Sequence, residues 1–100
     1  MPAGHTVRPR KWSNVIDLYD DRENSAIWGV FEKPPRCLGV RWNGSGSSTG
    51  YPQQSGYPLW YVEADFVTKM ILLELRDRVK TDPTTGNLKN ISEALSEFQP

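Results

Sequence analysis

Apolar and polar residues alternate with a period of two in the first half of the chain, and this pattern indicates β-strands. The alternation is clearest in Cys37–Trp42, where Leu38, Val40 and Trp42 fall on one face and Arg41 falls on the other. The pattern predicts a strand here, the third of three strands that precede any helical periodicity.

Two weaker patterns lie before this strand. Residues 12–19 place Ile16 and Leu18 on one face and predict a first strand, although no sharp breaker excludes a helix there. Residues 26–33 are rich in β-forming side chains and predict a second strand, which a prolyl pair ends. The polar residues 20–25 between the two predict a turn.

A change of period to about four residues predicts one long helix over residues 64–80. Acidic residues lie near its beginning and basic residues near its end, as the helix dipole favours. The predicted apolar stripe consists of Val67, Ile71, Leu75 and Val79, widened by Phe66, Met70 and Leu73.

A loop rich in Gly, Ser and Pro over residues 43–58 separates the third strand from the helix. Asn43-Gly44 normally signals a tight hairpin, but the predicted return strand, Pro58–Val62, comes only after this insertion. Loops of this length are unusual in small domains and are often functional or disordered. The loop is therefore the first candidate for a site.

The C-terminal residues predict a loop over 81–87 and then a short helix. Asn90 and Glu93 resemble a capping box with Asn90 as the cap. A helix of about two turns is not stable alone, so it must dock on the sheet, on the long helix or on another subunit. The side chains on its apolar face are Ile91, Leu95 and Phe98.

Together these elements predict a small α+β domain with an antiparallel sheet of three to four strands, one long helix packed on a face and a short C-terminal helix. The predicted organisation is a flexible basic arm over residues 1–12, a single domain over 13–80, and a loop with a docking helix over 81–100. Since strands and helices do not alternate, a parallel doubly wound sheet is not expected.

Composition narrows the functional classes. The formal net charge is zero, which removes the overall basic field expected of a general nucleic-acid binder. Cys37 is the only cysteine, so neither an intrachain disulfide nor a zinc-ligand cysteine pair is available. No segment is long and apolar enough to cross a bilayer, and residues 1–11 lack the apolar core of a signal peptide. We expect a cytoplasmic protein with no membrane contact.

The motifs of catalysis, metal binding and cofactor binding are missing from the sequence. Gly44–Gly50 resembles a phosphate loop, but no lysine follows it, and Tyr51-Pro52 stands where a helix should begin. His5 is the only histidine and lies in the predicted arm, where nothing would orient it as a base. The sequence therefore predicts no enzyme, no metal site and no cofactor. A polar turn is the expected role of the acidic cluster Asp17, Asp20, Asp21 and Glu23.

The strongest positive signal is aromatic. Gly-Tyr-Pro occurs twice, at Gly50–Pro52 and again at Gly56–Pro58. Tyrosine supplies a flat face with a polar tip, and glycine and proline shape the backbone around it. These rings could form a stacking surface for a small planar molecule, an unstacked base or a peptide, or they could instead fold back over a small core. The candidate ligand-binding residues are Arg41, Trp42, Tyr51, Tyr57 and Trp60.

The run Arg41-Trp42-Asn43-Gly44, the repeated Gly-Tyr-Pro and the segment Pro58–Val62 leading into a helix resemble a pattern in small uncharacterised bacterial proteins. Some members of that group are carried on mobile elements such as integron gene cassettes. The resemblance covers residues 36–75. It implies a bacterial accessory protein, often oligomeric, with no assigned activity, and it transfers no catalytic residue.

The sequence leaves three functional hypotheses to test. The first is a non-enzymatic binding module for a small molecule or peptide. The second is nucleic-acid binding, in which the basic arm with Arg36 and Arg41 meets phosphates while the rings stack on bases, although the neutral net charge makes it the weaker choice. The third and last-ranked is a small enzyme that uses Asp17 or Glu63 with a tyrosine.

The width of the apolar arc on the predicted long helix indicates self-association. A sheet of three or four strands covers one stripe of such a helix, and Leu72 falls outside that stripe. A homodimer or higher oligomer would hide the remaining apolar surface. The alternative is that the C-terminal helix packs back on its own chain and leaves a monomer.

Overall fold

Two antiparallel sheets and two helices make up the structure, a computed structural model that describes residues 2–98. The main sheet has the strand order β1-β2-β3-β6, and β4 pairs with β5 in a small hairpin. This arrangement confirms the predicted α+β class. The strands are β1 (Trp12–Asp20), β2 (Asn24–Phe31), β3 (Cys37–Trp42), β4 (Gln53–Gln54), β5 (Tyr57–Pro58) and β6 (Tyr61–Val62), and the helices are α1 (Asp65–Thr81) and α2 (Leu88–Glu97).

The face of the sheet towards the helices holds the larger core. Trp28 of β2 lies opposite Leu38 of β3 and Ile16 of β1, so these three side chains form a row across the sheet. Both helices pack against this row. The buried members of this core are Leu18, Tyr19, Ala26, Trp28, Leu38, Leu72, Leu75, Val79, Ile91 and Ala94.

The reverse face carries a second core, and the N-terminal segment helps to cover it. Val7 is buried there together with Trp12, Ile27 and Trp60, and the Trp60 indole Nε1 donates a hydrogen bond to the Val7 carbonyl oxygen at 2.9 Å. Burial on both faces explains why β2 shows no clean alternation.

The segment predicted as a flexible arm is therefore packed where the structure describes it. Gly4–Thr6 form a 3-10 turn, and the Gly4 amide donates to the Asp20 carboxylate at 3.0 Å. Arg8 pairs with Asp17 at 2.6 Å. Sequence periodicity could not reveal this, because Val7 is a single apolar residue among polar ones. Met1 lies outside the described residues.

Helix α1 occupies the predicted position, but it is rotated about its axis. Its buried residues are Thr68, Leu72, Leu75 and Val79, so Leu72, expected outside the stripe, is fully buried. Phe66 and Met70, expected to widen the buried stripe, are 86% and 70% exposed. Leu72, Leu75 and Val79 of this face belong to the same core as Trp28 and Leu38 of the sheet.

Helix α2 packs on its own chain. Ile91 and Ala94 are fully buried, and Phe98 meets the Trp28 ring edge-on at 6.3 Å. The predicted cap at Asn90 is wrong: the Asn87 side chain accepts from the Asn90 amide at 3.0 Å and caps the helix one turn earlier. Residues 99 and 100 of the predicted tail lie outside the described part of the chain.

An ion cluster fastens α2 to the sheet. Arg36, just before β3, forms salt bridges with Glu93 and Glu97 of α2. Glu97 also accepts a hydrogen bond from the Trp28 indole Nε1 at 2.9 Å. Strand and helix are thus held by charge as well as by packing.

The long loop is more ordered than predicted. Trp42 and Tyr51 exchange two backbone hydrogen bonds of 2.7 and 2.9 Å, which extend the edge of the sheet. Beyond them, Ser55 and Gly56 have φ of +51° and +83°, the left-handed pair of a two-residue hairpin turn between β4 and β5. Of the predicted return strand, only Tyr61–Val62 joins the main sheet.

Candidate binding cleft

Antiparallel pairing places side chains in rows across the helix-facing side of the sheet, since directly opposite residues share a face. One row runs from Tyr19 through Ala26 and Val40 to Tyr61. Beside it, Trp42 lies opposite Asn24 on one side and opposite Tyr51 on the other. Four aromatic side chains are therefore arranged around a floor of small residues.

The two helices leave this part of the sheet only partly covered, and a cleft of about 490 Å³ lies between it and α1. Ala26 and Val40 form its floor, where the adjacent row carries the bulky Trp28 and Leu38. The volume falls within the range of small-molecule sites. The lining residues are Tyr19, Asp21, Asn24, Ser25, Ala26, Val40, Arg41, Trp42, Tyr51, Pro52, Tyr61, Ile71, Glu74, Leu75 and Arg78.

Three of the aromatic side chains of the cleft are open to solvent. Trp42 is 42% exposed, Tyr51 67% and Tyr61 53%. Of the four tryptophans, Trp42 alone is exposed, since Trp12, Trp28 and Trp60 are each buried. These rings therefore do not fold back over the core, whereas Trp60, the other tryptophan that flanks the loop, is buried in the second core, as the alternative expected.

A polar group of four residues closes one end of the cleft. The Tyr19 hydroxyl donates to the Asp21 carboxylate at 3.1 Å, and Arg78 Nε donates to Glu74 Oε2 at 2.8 Å. Burial raises the pKa of the Tyr19 hydroxyl, while the neighbouring Tyr19 and Glu74 raise the pKa of Arg78. At neutral pH this end therefore holds two carboxylates and one guanidinium.

The Asp21 carboxylate stays ionised there. Burial acts to raise its pKa, but the backbone amides of Asn24 and Glu23 donate to it at 2.7 and 2.9 Å and hold the pKa below its usual value. The same hydrogen bonds shape the β1–β2 turn, so the acidic cluster has a structural role as well.

Arg41 has a different role from the predicted one. Its side chain lies on the reverse face, is 3% exposed and sits 6.0 Å from the centre of the Trp60 ring. The guanidinium donates to the carbonyl oxygens of Leu59 at 2.6 Å and Pro52 at 3.2 Å, and also to that of Thr49. Arg41 therefore holds the loop that carries Tyr51.

The five predicted site residues thus separate into three groups. Trp42 and Tyr51 come together at the cleft. Arg41 and Trp60 are buried on the reverse face. Tyr57 is 75% exposed in the small hairpin, where it lines an open depression with Arg10 and Leu59, away from the cleft.

Sequence reasoning missed Tyr19, Tyr61, Glu74 and Arg78 of the cleft. A bulge in β1 between Asp17 and Tyr19 brings Tyr19 opposite Ala26, and no residue pattern announces that shift. Tyr61 reaches the row through the pairing of β6 with β3, in which it lies opposite Val40, and that register is not visible in the sequence.

The groups considered for catalysis are dispersed. Asp17 pairs with Arg8, and the Glu63 carboxylate accepts from the Ala64 amide at 3.1 Å at the start of α1. Cys37 is half-buried, and burial raises the pKa of its thiol, which leaves less of the reactive thiolate at neutral pH. Within residues 2–98, no group of three His, Cys, Asp or Glu side chains could hold a metal ion.

The cations proposed for phosphate contact are largely committed to internal partners. Arg8 pairs with Asp17, and Arg36 pairs with Glu93 and Glu97. Arg41 is buried under carbonyl oxygens. Of the basic residues in that proposal, Arg8, Arg10 and Lys11 are exposed, and Arg8 is paired with Asp17. Three exposed cations, one of them paired, give little basis for a nucleic-acid surface.

Comparisons with protein-family models, with curated proteins and with solved structures gave no match. In the part of the chain that the structure describes, neither helix is long and apolar enough to cross a membrane.

Proposed function

We propose that this protein is a non-enzymatic binding module whose ligand occupies the cleft between α1 and the sheet. The supporting observation is the set of exposed rings, Trp42, Tyr51 and Tyr61, around a 490 Å³ cleft with a floor of Ala26 and Val40. Exposed aromatic rings beside an apolar floor gain free energy when a guest removes them from water. The ligand is a small molecule or the side chains of a peptide.

Tryptophan fluorescence provides the first test, because Trp42 is the one exposed tryptophan of the four. A library of metabolites and short peptides is screened for compounds that shift the emission or protect it from acrylamide. A ligand in the cleft should change the part of the emission that comes from the exposed Trp42. Trp42→Phe should remove that response. A library that leaves the wild-type emission and its quenching unchanged contradicts the proposal.

The two Gly-Tyr-Pro units supply a matched pair of variants. Tyr51 lines the cleft and Tyr57 does not, while both side chains are exposed. We expect Tyr51→Ala to weaken binding of any hit about tenfold, since one stacked ring contributes about 1–3 kcal/mol. Tyr57→Ala should change the affinity less than twofold. Equal effects of the two variants would place the ligand elsewhere.

The resemblance implies a bacterial accessory protein that is often oligomeric. This role and the cytoplasmic location stay predictions. Nucleic-acid binding stays the less favoured alternative, supported by the exposed Arg10 and Lys11 and by Arg8, which is paired with Asp17. A gel shift at low salt with single- and double-stranded probes decides it, and we expect no retardation.

A further inference from the structure

We propose that the cleft selects an organic cation, an ammonium group attached to a flat or bulky apolar body. This inference rests on the proposed binding function and adds the chemical class of the ligand. It follows from three features of the cleft: its ring faces, its charge and its width.

The first feature is the set of exposed aromatic ring faces in the cleft. Trp42, Tyr51 and Tyr61 present exposed rings at neighbouring positions of the sheet. The face of an aromatic ring carries negative partial charge and attracts a cation within about 6 Å of its centre. Tryptophan is the strongest of these ring partners, and tyrosine follows.

The charge of the cleft favours the same class. Asp21 and Glu74 contribute two negative charges to its surface and Arg78 contributes one positive charge. Arg78 is already paired with Glu74 Oε2, and the other oxygen of that exposed carboxylate can attract a cationic ligand. The positive charge of Arg41 lies on the reverse face of the sheet, next to the carbonyl oxygens that accept its hydrogen bonds.

The width of the cleft indicates an extended apolar body rather than a bare ammonium ion. Tyr19 and Tyr61 stand three strand positions apart in one row, which corresponds to about 14 Å at the usual spacing between strands. Val40 and Ala26 lie between them. A small ammonium ion would leave this floor wet, whereas an aryl or branched alkyl group would cover it.

The test compares three probes of nearly equal shape on the full-length protein. They are (2-naphthylmethyl)trimethylammonium, the neutral analogue with carbon in place of nitrogen, and 2-naphthylmethanesulfonate. Binding is followed by nuclear magnetic resonance at the Trp42 indole N–H. We expect the cation to bind at least fivefold more tightly than the neutral analogue, and the sulfonate to bind most weakly.

Two variants on the same helix separate local recognition from general charge. Glu74 lines the cleft and Asp77 does not, although both carboxylates are exposed. Glu74→Gln should weaken cation binding at least threefold and leave the neutral analogue unchanged. Asp77→Asn should change neither the affinity for the cation nor the affinity for the neutral analogue by more than 1.5-fold.

The outcomes distinguish this inference from the proposed function. If the neutral analogue binds as tightly as the cation, or the sulfonate binds more tightly, the inference fails and the binding function stands. If equal weakening follows Glu74→Gln and Asp77→Asn, the selectivity is a long-range charge effect and the inference fails as well. If no probe shifts Trp42, the ligand class is wrong, while the function itself fails only when the wider library also gives no response.

Discussion

Arg41 is a buried cation that is held by carbonyl oxygens from three points of one loop and has no carboxylate partner within residues 2–98. Its Nε is also buried without a hydrogen-bond partner among the described residues. Burial lowers the pKa of its guanidinium, but arginine still stays charged at any ordinary pH. The fold retains this group because it fixes the loop that brings Tyr51 to the cleft.

Replacing Arg41 with lysine should therefore disturb the loop. One ammonium group cannot reach the three carbonyl oxygens that the planar guanidinium serves. We expect Arg41→Lys to lower the free energy of unfolding in urea by about 2 kcal/mol, the range for a hydrogen bond to a charged group. Amide exchange should accelerate over residues 49–59. The exposed Arg10 gives the control, and Arg10→Lys should leave both measurements unchanged.

Glu97 should make the docking of α2 depend on pH. A hydrogen bond from Arg36, then one from Trp28, lowers the pKa of Glu97 below its usual value. The stabilisation is therefore complete above about pH 4.3, the ordinary glutamate value, and is lost as the pH falls through the lowered value. Since the side chain is 37% exposed, the contribution stays below about 1 kcal/mol.

The Trp28 indole N–H resonance reports this titration, because it donates to Glu97. We expect it to move as the pH falls below the ordinary glutamate value, and to move less in Glu97→Gln, which keeps an acceptor but has no charge to lose. Glu23→Gln, on the exposed β1–β2 turn, is the control. An unchanged titration in Glu97→Gln would show that another group governs the docking of α2.

Among the secondary-structure elements, α1 shows how far sequence periodicity reaches. Its limits were predicted to within one residue, because charge placement and a long apolar pattern mark both ends. The rotation of the helix about its axis was not predicted, because Phe66, Met70 and Leu72 are all apolar. The apolar pattern alone is compatible with several buried faces of the helix. The sheet decides between them, since Trp28 and Leu38 offer the surface on which Leu72 packs.

Truncation of apolar residues on α1 tests this rotation. Leu72→Ala should lower the free energy of unfolding by about 3 kcal/mol, because it removes a fully buried side chain. Met70→Ala removes a side chain that is exposed on the single chain, so at concentrations where the protein is monomeric it should change the free energy by less than about 0.5 kcal/mol. Equal costs would contradict the observed packing of the helix.

The sheet was predicted as a class, and β3 was predicted with its limits and its alternating faces. The pairing register between strands could not be predicted from the sequence, and this register brings the residues of the cleft together. Trp42 and Tyr51 were found because they flank the loop, whereas Tyr19 reaches the same row only through the bulge in β1. The burial of Trp60 and Arg41 depends on contacts with Val7 and with loop carbonyl oxygens that are distant in sequence.

For the whole molecule, self-association stays a prediction, and its expected interface has moved. Leu72, the residue outside the predicted stripe, packs in the core of its own chain, whereas Phe66 and Met70 are exposed. We expect sedimentation to give about twice the 11.4 kDa of one chain, and one chain for the double variant Phe66→Ser with Met70→Ser. A wild-type mass of one chain would contradict the prediction.

The most direct measurement of the central proposal is a fragment screen by ¹H–¹⁵N nuclear magnetic resonance on the full-length protein. If the cleft is the binding site, one set of fragments should shift the Trp42 indole together with the amides of Ala26, Val40 and Tyr51. These resonances belong to the floor and wall of the cleft. Shifts confined to the hairpin around Tyr57, or no saturable shift at any concentration, would contradict the proposed function.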